Sequence, residues 1–99
     1  SKIKNGGLDF VLVSNLLFQI ENKPAIIAEA HRTLRPGGML AVIDWMDSFG
    51  GLGPDKHDVV VKDAGLQLLE EGGFKIAREF PAGAHHWGVL ARAPKGDLV

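Results

Sequence analysis

Two apolar runs flank a helical pattern within the first 45 residues, and this order restricts the folds open to the chain. The run LDFVLV at 8–13 is almost continuously apolar, as expected of an interior strand covered on both faces. Ile27, Ala30 and Leu34 then repeat at helical spacing, and MLAVID at 39–44 predicts a second strand. A strand, a helix and a strand in this order predict parallel pairing within an α/β layer architecture.

The segment RPGG at 35–38 separates the predicted helix from the second strand. Pro36 cannot continue a helix, because its ring removes a backbone donor and clashes with the preceding turn. Gly37 or Gly38 is predicted to take the left-handed conformation that closes a helix. At the other end, Asn22 is predicted to cap the first turn. The sequence therefore predicts a helix stop that leads directly into a buried strand.

The second half of the chain predicts a long loop, a helix and a hairpin, at 45–60, 61–71 and 74–93. The helix is expected to turn Leu66 and Leu69 inward, together with Val61 and Gly65. Residues 1–7 are predicted to be a linker and 94–99 a frayed tail. Only the last strand, HWGVLARA, is expected to run antiparallel to the others.

Composition restricts the function classes without naming one. The 99 residues carry a net charge of −1 and no cysteine, so disulfides and a cysteine nucleophile are ruled out. The lack of cysteine is compatible with a reducing cytoplasm, and a cytoplasmic location is expected. The sequence has no basic stripe of the kind that binds a nucleic-acid backbone. No apolar run approaches the ~20 residues of a membrane span.

Polar and aromatic side chains follow the predicted strands at the edge where ligands bind in parallel sheets. Ser14 and Asn15 follow the first strand, and Asp44 and Trp45 end the second. The hairpin turn adds two histidines and the long loop a third, which are His85, His86 and His57. Such a cluster at a sheet edge predicts a binding cleft, in which a histidine can act as a base.

Two other site types find little support in the sequence. The segment GGLG at 50–53 lacks the third glycine of a nucleotide-binding loop, and PGGML precedes a strand instead of following one. His85 and His86 are adjacent on an extended segment, so their side chains are expected to diverge rather than grip one metal ion. No metal site is predicted.

Four segments together resemble the C-terminal half of class I S-adenosylmethionine-dependent methyltransferases, close to the small-molecule branch related to quinone biosynthesis. The resemblance covers about residues 5 to 94, and its segments are LDFVLVSNLLFQI, IIAEAHRTLRPGGMLAVIDW, LLEEGGFKIAREF and HWGVLARAP. It implies a partial Rossmann-like sheet whose strands correspond to the family's fourth to seventh, in the spatial order four, five, seven, six. Residues 8–93 are thus expected to form the C-terminal half of a methyltransferase-like domain.

The resemblance also implies roles for individual residues. Ser14, Asn15 and Leu16 match the segment that lines the methionine end of the methyl donor, and Asp44 and Trp45 match positions near the substrate. Glu29 and Arg32 match helix positions that look structural. His85, His86 or His57 is the candidate base. The family's glycine-rich donor-binding loop has no counterpart in the sequence, so binding of S-adenosylmethionine by this chain alone is expected to be weak or absent.

The apolar strand at 8–13 is expected to have a neighbour on only one side, and such an edge favours pairing with another chain. A homodimer through this strand is predicted, with a complementary N-terminal half as the other possible partner. Two functions remain open: methyl transfer to a small molecule as the substrate-side half of an enzyme, or a non-catalytic, self-associating fold fragment. A different nucleotide binder of doubly wound fold is a third class.

Overall fold

The computed structural model describes residues 6–15, 17–19, 21–47 and 59–94. These described residues form four strands, two α-helices and one 3-10 turn. In chain order these are β1 (Leu8–Ser14), the 3-10 turn (Leu17–Gln19), α1 (Lys23–Thr33), β2 (Leu34–Trp45), α2 (Lys62–Glu71), β3 (Lys75–Pro81) and β4 (His86–Arg92). The predicted order of strands and helices is confirmed.

The strands form a single sheet in the order β1-β2-β4-β3. β1 pairs in parallel with β2, whereas β4 is antiparallel to both β2 and β3. Strand β4 is thus inserted between β2 and β3. This confirms the α/β fold class and the order that the resemblance implied.

Helix α1 begins as the sequence predicts but ends differently. The Ala25 N–H donates to the side chain of Asn22 at 3.3 Å, which caps the first turn. Thr33 is the last helical residue, and Leu34 already has extended backbone angles. Gly37 does adopt a positive φ of 78°, yet it lies inside β2. The prediction that a glycine closes this helix is therefore wrong, because the strand starts before the glycines are reached.

The Arg35–Gly38 segment interrupts the β1–β2 ladder instead. Leu8 pairs with Leu34, while the next registered pair joins Phe10 to Met39. Four residues of β2 thus stand opposite one residue of β1, and the chain bulges at this point.

The expectation that both faces of β1 are covered is wrong for the residues that the structure describes. Val13 is buried, but Phe10 and Leu12 are each 54% exposed. The two helices of the described ranges pack on the same face of the sheet, where Val13 joins core residues of β2, β4 and both helices. Among the described strands, β1 pairs with β2 alone.

Helix α2 buries Gly65 and Leu69 and half-buries Leu66, as predicted. Val61 is 55% exposed, so the prediction that it faces inward is wrong. It is the N-cap residue and has extended backbone angles, which removes it from the helical stripe. At the other end, Gly73 has a φ of +93° and follows the last turn, where glycine is favoured because the left-handed region costs it little.

A substitution at Gly65 tests how closely α2 packs on the sheet. A Cβ at Gly65 would lie 2.5 Å from the ring of Trp87, which is itself buried. Alanine normally stabilises a helix interior by about 1 kcal/mol relative to glycine. Here we expect Gly65→Ala to destabilise the protein by about 1–2 kcal/mol, because overpacking outweighs helix propensity. Urea unfolding measures the change. Ala64→Gly, at the exposed neighbouring position, is the control and should also destabilise; a stabilising Gly65→Ala would contradict the packing.

Candidate functional site

A backbone hydrogen bond joins the residue that follows β1 to the carboxyl end of β2. The Asn15 N–H donates to the Ile43 carbonyl oxygen at 2.8 Å, and Asn15 adopts a positive φ of 57°. Asparagine tolerates this left-handed conformation better than most residues. The half-buried Ser14 and exposed Asn15 therefore stand at the sheet edge where the sequence predicted a site.

Asp44 is the penultimate residue of β2 and is fully buried. One carboxylate oxygen accepts a hydrogen bond from the Leu17 N–H at 2.8 Å, and the other accepts from the Trp45 N–H at 2.9 Å. Burial raises the pKa of Asp44 above its ordinary value, while these two hydrogen bonds and the charges of His86 and Lys23 oppose the rise. Asp44 was predicted to lie near the substrate, and in the structure its carboxylate also fixes the backbone after β1.

Trp45 and His86 stand opposite each other on neighbouring strands. Their ring centroids are 4.1 Å apart, with an interplanar angle of 37°. Both side chains are half-buried. By alternation along β2, Trp45 lies on the sheet face opposite to Asp44 and the helices, so this ring pair forms the aromatic part of the edge.

His85 has a different set of partners. Its Nδ1 lies 3.0 Å from Oδ1 and 3.1 Å from Oδ2 of Asp47, and its carbonyl oxygen accepts a hydrogen bond from the Met46 N–H at 2.8 Å. The hairpin turn is therefore joined to the start of the segment that follows β2. The two adjacent histidines point to separate partners, as expected from their positions next to each other in the chain.

A cavity of about 510 Å³ lies beside the hairpin. Met46, Phe80, Pro81 and His86 are among the residues that line it, and its volume is within the range of small-molecule sites. The ion pair between Lys62 Nζ and Glu79 Oε1, at 2.9 Å, contributes to its wall. Of the described histidines, His86 lines this cavity and His85 does not, and Ser14 and Asn15 are not among its lining residues.

Three features of this region were not predicted from the sequence. The Trp87 indole N–H donates to the Val60 carbonyl oxygen at 2.7 Å, which anchors the residues before α2. The Asp44 carboxylate accepts a hydrogen bond from the Leu17 N–H, and the Asp47 carboxylate pairs with the His85 ring. The last two contacts join residues 27 and 38 positions apart, so no local spacing indicates them. The buried Trp87 could have been found from the strict alternation of Trp87, Val89 and Ala91.

Some predicted positions lie outside the described residues, namely Leu16 and His57. Within the ranges that the structure describes, no group of three or more potential metal ligands is found. The helices of these same ranges include none long and apolar enough to cross a membrane.

Comparisons with known proteins were made for both sequence and structure. A family model described as a methyltransferase domain matches residues 2–42, which is less than half of the chain. This match includes β1, α1 and the first part of β2. No curated protein matches the sequence significantly.

Solved structures match almost the entire chain. A SAM-dependent methyltransferase from Aquifex aeolicus superposes with a TM-score of 0.83 and 23% identity, covering 93% of this chain and 49% of its own. A structure described as a type 11 methyltransferase from Sulfolobus solfataricus superposes with a TM-score of 0.81 and 22% identity, covering 97% of this chain and 56% of its own. The 1,6-didemethyltoxoflavin-N1-methyltransferase of Burkholderia thailandensis, solved with S-adenosylhomocysteine, superposes with a TM-score of 0.70 and 21% identity, covering 91% of this chain and 45% of its own.

These similarities establish the fold, which is the Rossmann-like α/β fold of methyltransferase domains. The chain spans about half the length of the solved structures that it matches.

Proposed function

We propose that residues 8–93 form the C-terminal, substrate-side half of an S-adenosylmethionine-dependent methyltransferase that acts on a small molecule. The observation that carries the proposal is the superposition of 93% of the chain on a SAM-dependent methyltransferase at a TM-score of 0.83. The methyltransferase-domain match over β1 and α1 supports it independently. An acceptor of the kind used by the quinone-biosynthesis branch agrees with the apolar residues around the cavity.

The polar end of β1 fits the methionine end of the methyl donor. Ser14 offers a hydroxyl and Asn15 an exposed carboxamide, and such groups can hydrogen-bond an ammonium and a carboxylate. Asp44 supports this site indirectly, because its carboxylate accepts a hydrogen bond from the Leu17 N–H and fixes the turn that follows Ser14 and Asn15. We therefore assign Ser14 and Asn15 to donor binding, with Leu16 as the predicted third member, and Asp44 to positioning.

Methyl transfer from the donor is a direct displacement at an already activated sulfonium methyl carbon, so the protein mainly aligns the reacting groups. An acceptor hydroxyl or amine must also lose a proton, for which a histidine is suited. His86 is our choice, because it lines the cavity. Trp45 orients the His86 ring and offers a π face near the substrate side. His85 and His57 remain candidate bases from the sequence.

The proposal includes the expectation that the chain alone is inactive. Of the weak or absent donor binding expected from the sequence, it commits to weak binding at millimolar concentration. The open edge of β1 supports assembly, either as a homodimer through residues 8–13 or with a complementary N-terminal half. A non-catalytic, self-associating fold fragment is the alternative, and exposed Phe10 and Leu12 favour it as much as they favour assembly of an enzyme.

Residue-resolved NMR tests the donor site even when binding is weak. We expect millimolar S-adenosylhomocysteine to shift the amide signals of Ser14, Asn15 and Leu17, while those of Lys75 and Arg92 at the other end of the sheet stay in place. ATP at equal concentration is the control for a general nucleotide binder and should leave the same amides unchanged. Asn15→Gly keeps the left-handed backbone accessible and should reduce the response.

Two results would count against the proposal. If no signal near Ser14 or Asn15 moves at millimolar S-adenosylhomocysteine, the donor site is absent and the non-catalytic alternative is favoured. An equal response to ATP would instead indicate a different class of nucleotide-binding protein.

A further inference from the structure

A cavity of about 780 Å³ lies at one corner of the sheet, where β3 begins and β4 ends. Lys75 and Arg92 contribute charged side chains to its lining. The rest of the lining is mostly apolar and includes Ile76, Ala77, Ala93 and Pro94. Along β4, Arg92 stands six residues from His86, roughly 20 Å at strand spacing. The cavity therefore lies at the other end of the sheet from the candidate functional site.

The two cations of this cavity stand directly opposite each other. Lys75 and Arg92 are cross-strand partners in the β3–β4 ladder, so their side chains share a face, and both are exposed. Like charges placed opposite each other destabilise a sheet. Within the described ranges, no Asp or Glu carboxylate forms an ion pair with either cation. An anion bound between Lys75 and Arg92 would therefore relieve their repulsion.

A backbone contact orients the Arg92 guanidinium. Its Nη1 donates a hydrogen bond to the Gly37 carbonyl oxygen at 3.2 Å. The same segment of β2 holds the end of β4, since the Ala93 N–H donates to the Gly38 carbonyl oxygen at 2.8 Å. The Gly37 N–H donates in turn to the Pro94 carbonyl oxygen at 3.3 Å. A guanidinium has five N–H donors, so the group is positioned by one contact and keeps donors for an anion.

A bulge in β3 lies against the same cavity. The register passes from Ile76, opposite Ala91, to Arg78, opposite Leu90, so Ala77 is the extra residue of the bulge. Such a residue is left unpaired in the ladder, and Ala77 is exposed and lines the cavity. Among the described strands, β3 pairs with β4 alone. An edge strand exposes backbone N–H groups, which can donate to an anion beside the two cations.

We infer that this corner of the sheet binds a small molecule that carries a phosphate monoester on an apolar body. A phosphate monoester has a charge of about −1.5 to −2 at pH 7, which matches two cations better than a single carboxylate does. The planar Arg92 guanidinium suits bidentate contact with phosphate oxygens, and Lys75 supplies a point charge. The cavity volume is within the range of small-molecule sites, and Ile76 and Pro94 offer apolar surface to the ligand body. The inference is independent of the proposed methyl transfer.

An NMR titration with phenyl phosphate tests the inference, because this probe combines a phosphate monoester with an apolar ring. Phenyl sulfate has the same shape with one negative charge, and inorganic phosphate lacks the ring. We expect millimolar phenyl phosphate to shift the amide signals of Lys75, Ala77 and Arg92. It should bind about threefold or more tightly than either comparison ligand, as one exposed ion pair or a small apolar contact gives. Added salt should reduce its advantage over phenyl sulfate.

Three variants make the test specific. Lys75→Gln should weaken binding of phenyl phosphate about threefold, and Arg92→Lys should also weaken it, because the charge stays but the planar fork is lost. Arg78→Gln is the matched control, since Arg78 is an exposed cation of the same strand that does not line the cavity; it should bind as the wild type does.

Three results would overturn the inference. The first is that no signal of Lys75, Ala77 or Arg92 moves with millimolar phenyl phosphate. The second is equal binding of phenyl phosphate and one of the comparison ligands by the wild-type chain, since either the second charge or the apolar body would then have no role. The third is an equal loss in Arg78→Gln and Lys75→Gln, which would indicate general attraction to a positive surface instead of a site.

Discussion

Leu40→Ala is expected to lower the free energy of unfolding by about 2–5 kcal/mol, since it removes a buried leucine and leaves a cavity. Leu40 is fully buried in β2, the strand between β1 and β4. A chain of 99 residues has a total stability of only about 5–15 kcal/mol. The variant should therefore be near the limit of folding. Urea unfolding followed by circular dichroism measures the loss.

Leu12→Ala is the matched control, because it makes the same exchange in the neighbouring strand. Leu12 is 54% exposed, so we expect a loss of about 1 kcal/mol or less. If both variants lost the same stability, Leu12 would have to be covered in solution, and the one-sided packing described here would be contradicted.

Asp44→Ala is the second substitution with a large expected effect. It leaves the N–H groups of Leu17 and Trp45 without their acceptor in a buried site, and each such group costs about 1–3 kcal/mol. We therefore expect a total loss of about 2–6 kcal/mol near neutral pH. Asp9→Ala, which removes an exposed carboxylate, is the control and should change stability little.

The pH dependence of this loss follows from the raised pKa of Asp44. The folded state binds the Asp44 proton more tightly than the unfolded state does. Its contribution to stability is thus fully present below the unfolded pKa and is lost as pH rises through the folded one. Because the alanine side chain of the variant does not titrate, the gap between wild type and variant should widen on acidification from neutral pH. A gap that narrows would show that the site prefers the ionised carboxylate.

The elements of this fold could be predicted because each depends on local rules. The spacing of Ile27 and Ala30 predicted α1, and the apolar MLAVID run predicted β2. The insertion of β4 between β2 and β3 came from the family resemblance, since hairpin spacing alone indicates only the β3–β4 pair. The burial of β1 was overestimated, because an apolar strand sequence does not show whether a second layer covers it.

The candidate site was predicted less completely than the fold. Strand ends indicated which residues share the edge, and Trp45 and His86 do meet there. The sequence did not show that Asp44 supports the chain after β1 or that Asp47 pairs with His85, since both contacts depend on how distant segments fold together. The assignment of Ser14, Asn15 and the histidines to donor and base remains a prediction.

The bulge at Arg35–Gly38 has a consequence for how accurately β1 can align. A ladder without interruption could slide by two residues and still keep the same side chains facing the core. Here, sliding would require four extra residues to be absorbed or displaced between Leu34 and Met39. The bulge therefore restricts β1 to one alignment with β2. A bulge shorter by two residues should allow β1 to pair with β2 in a shifted alignment.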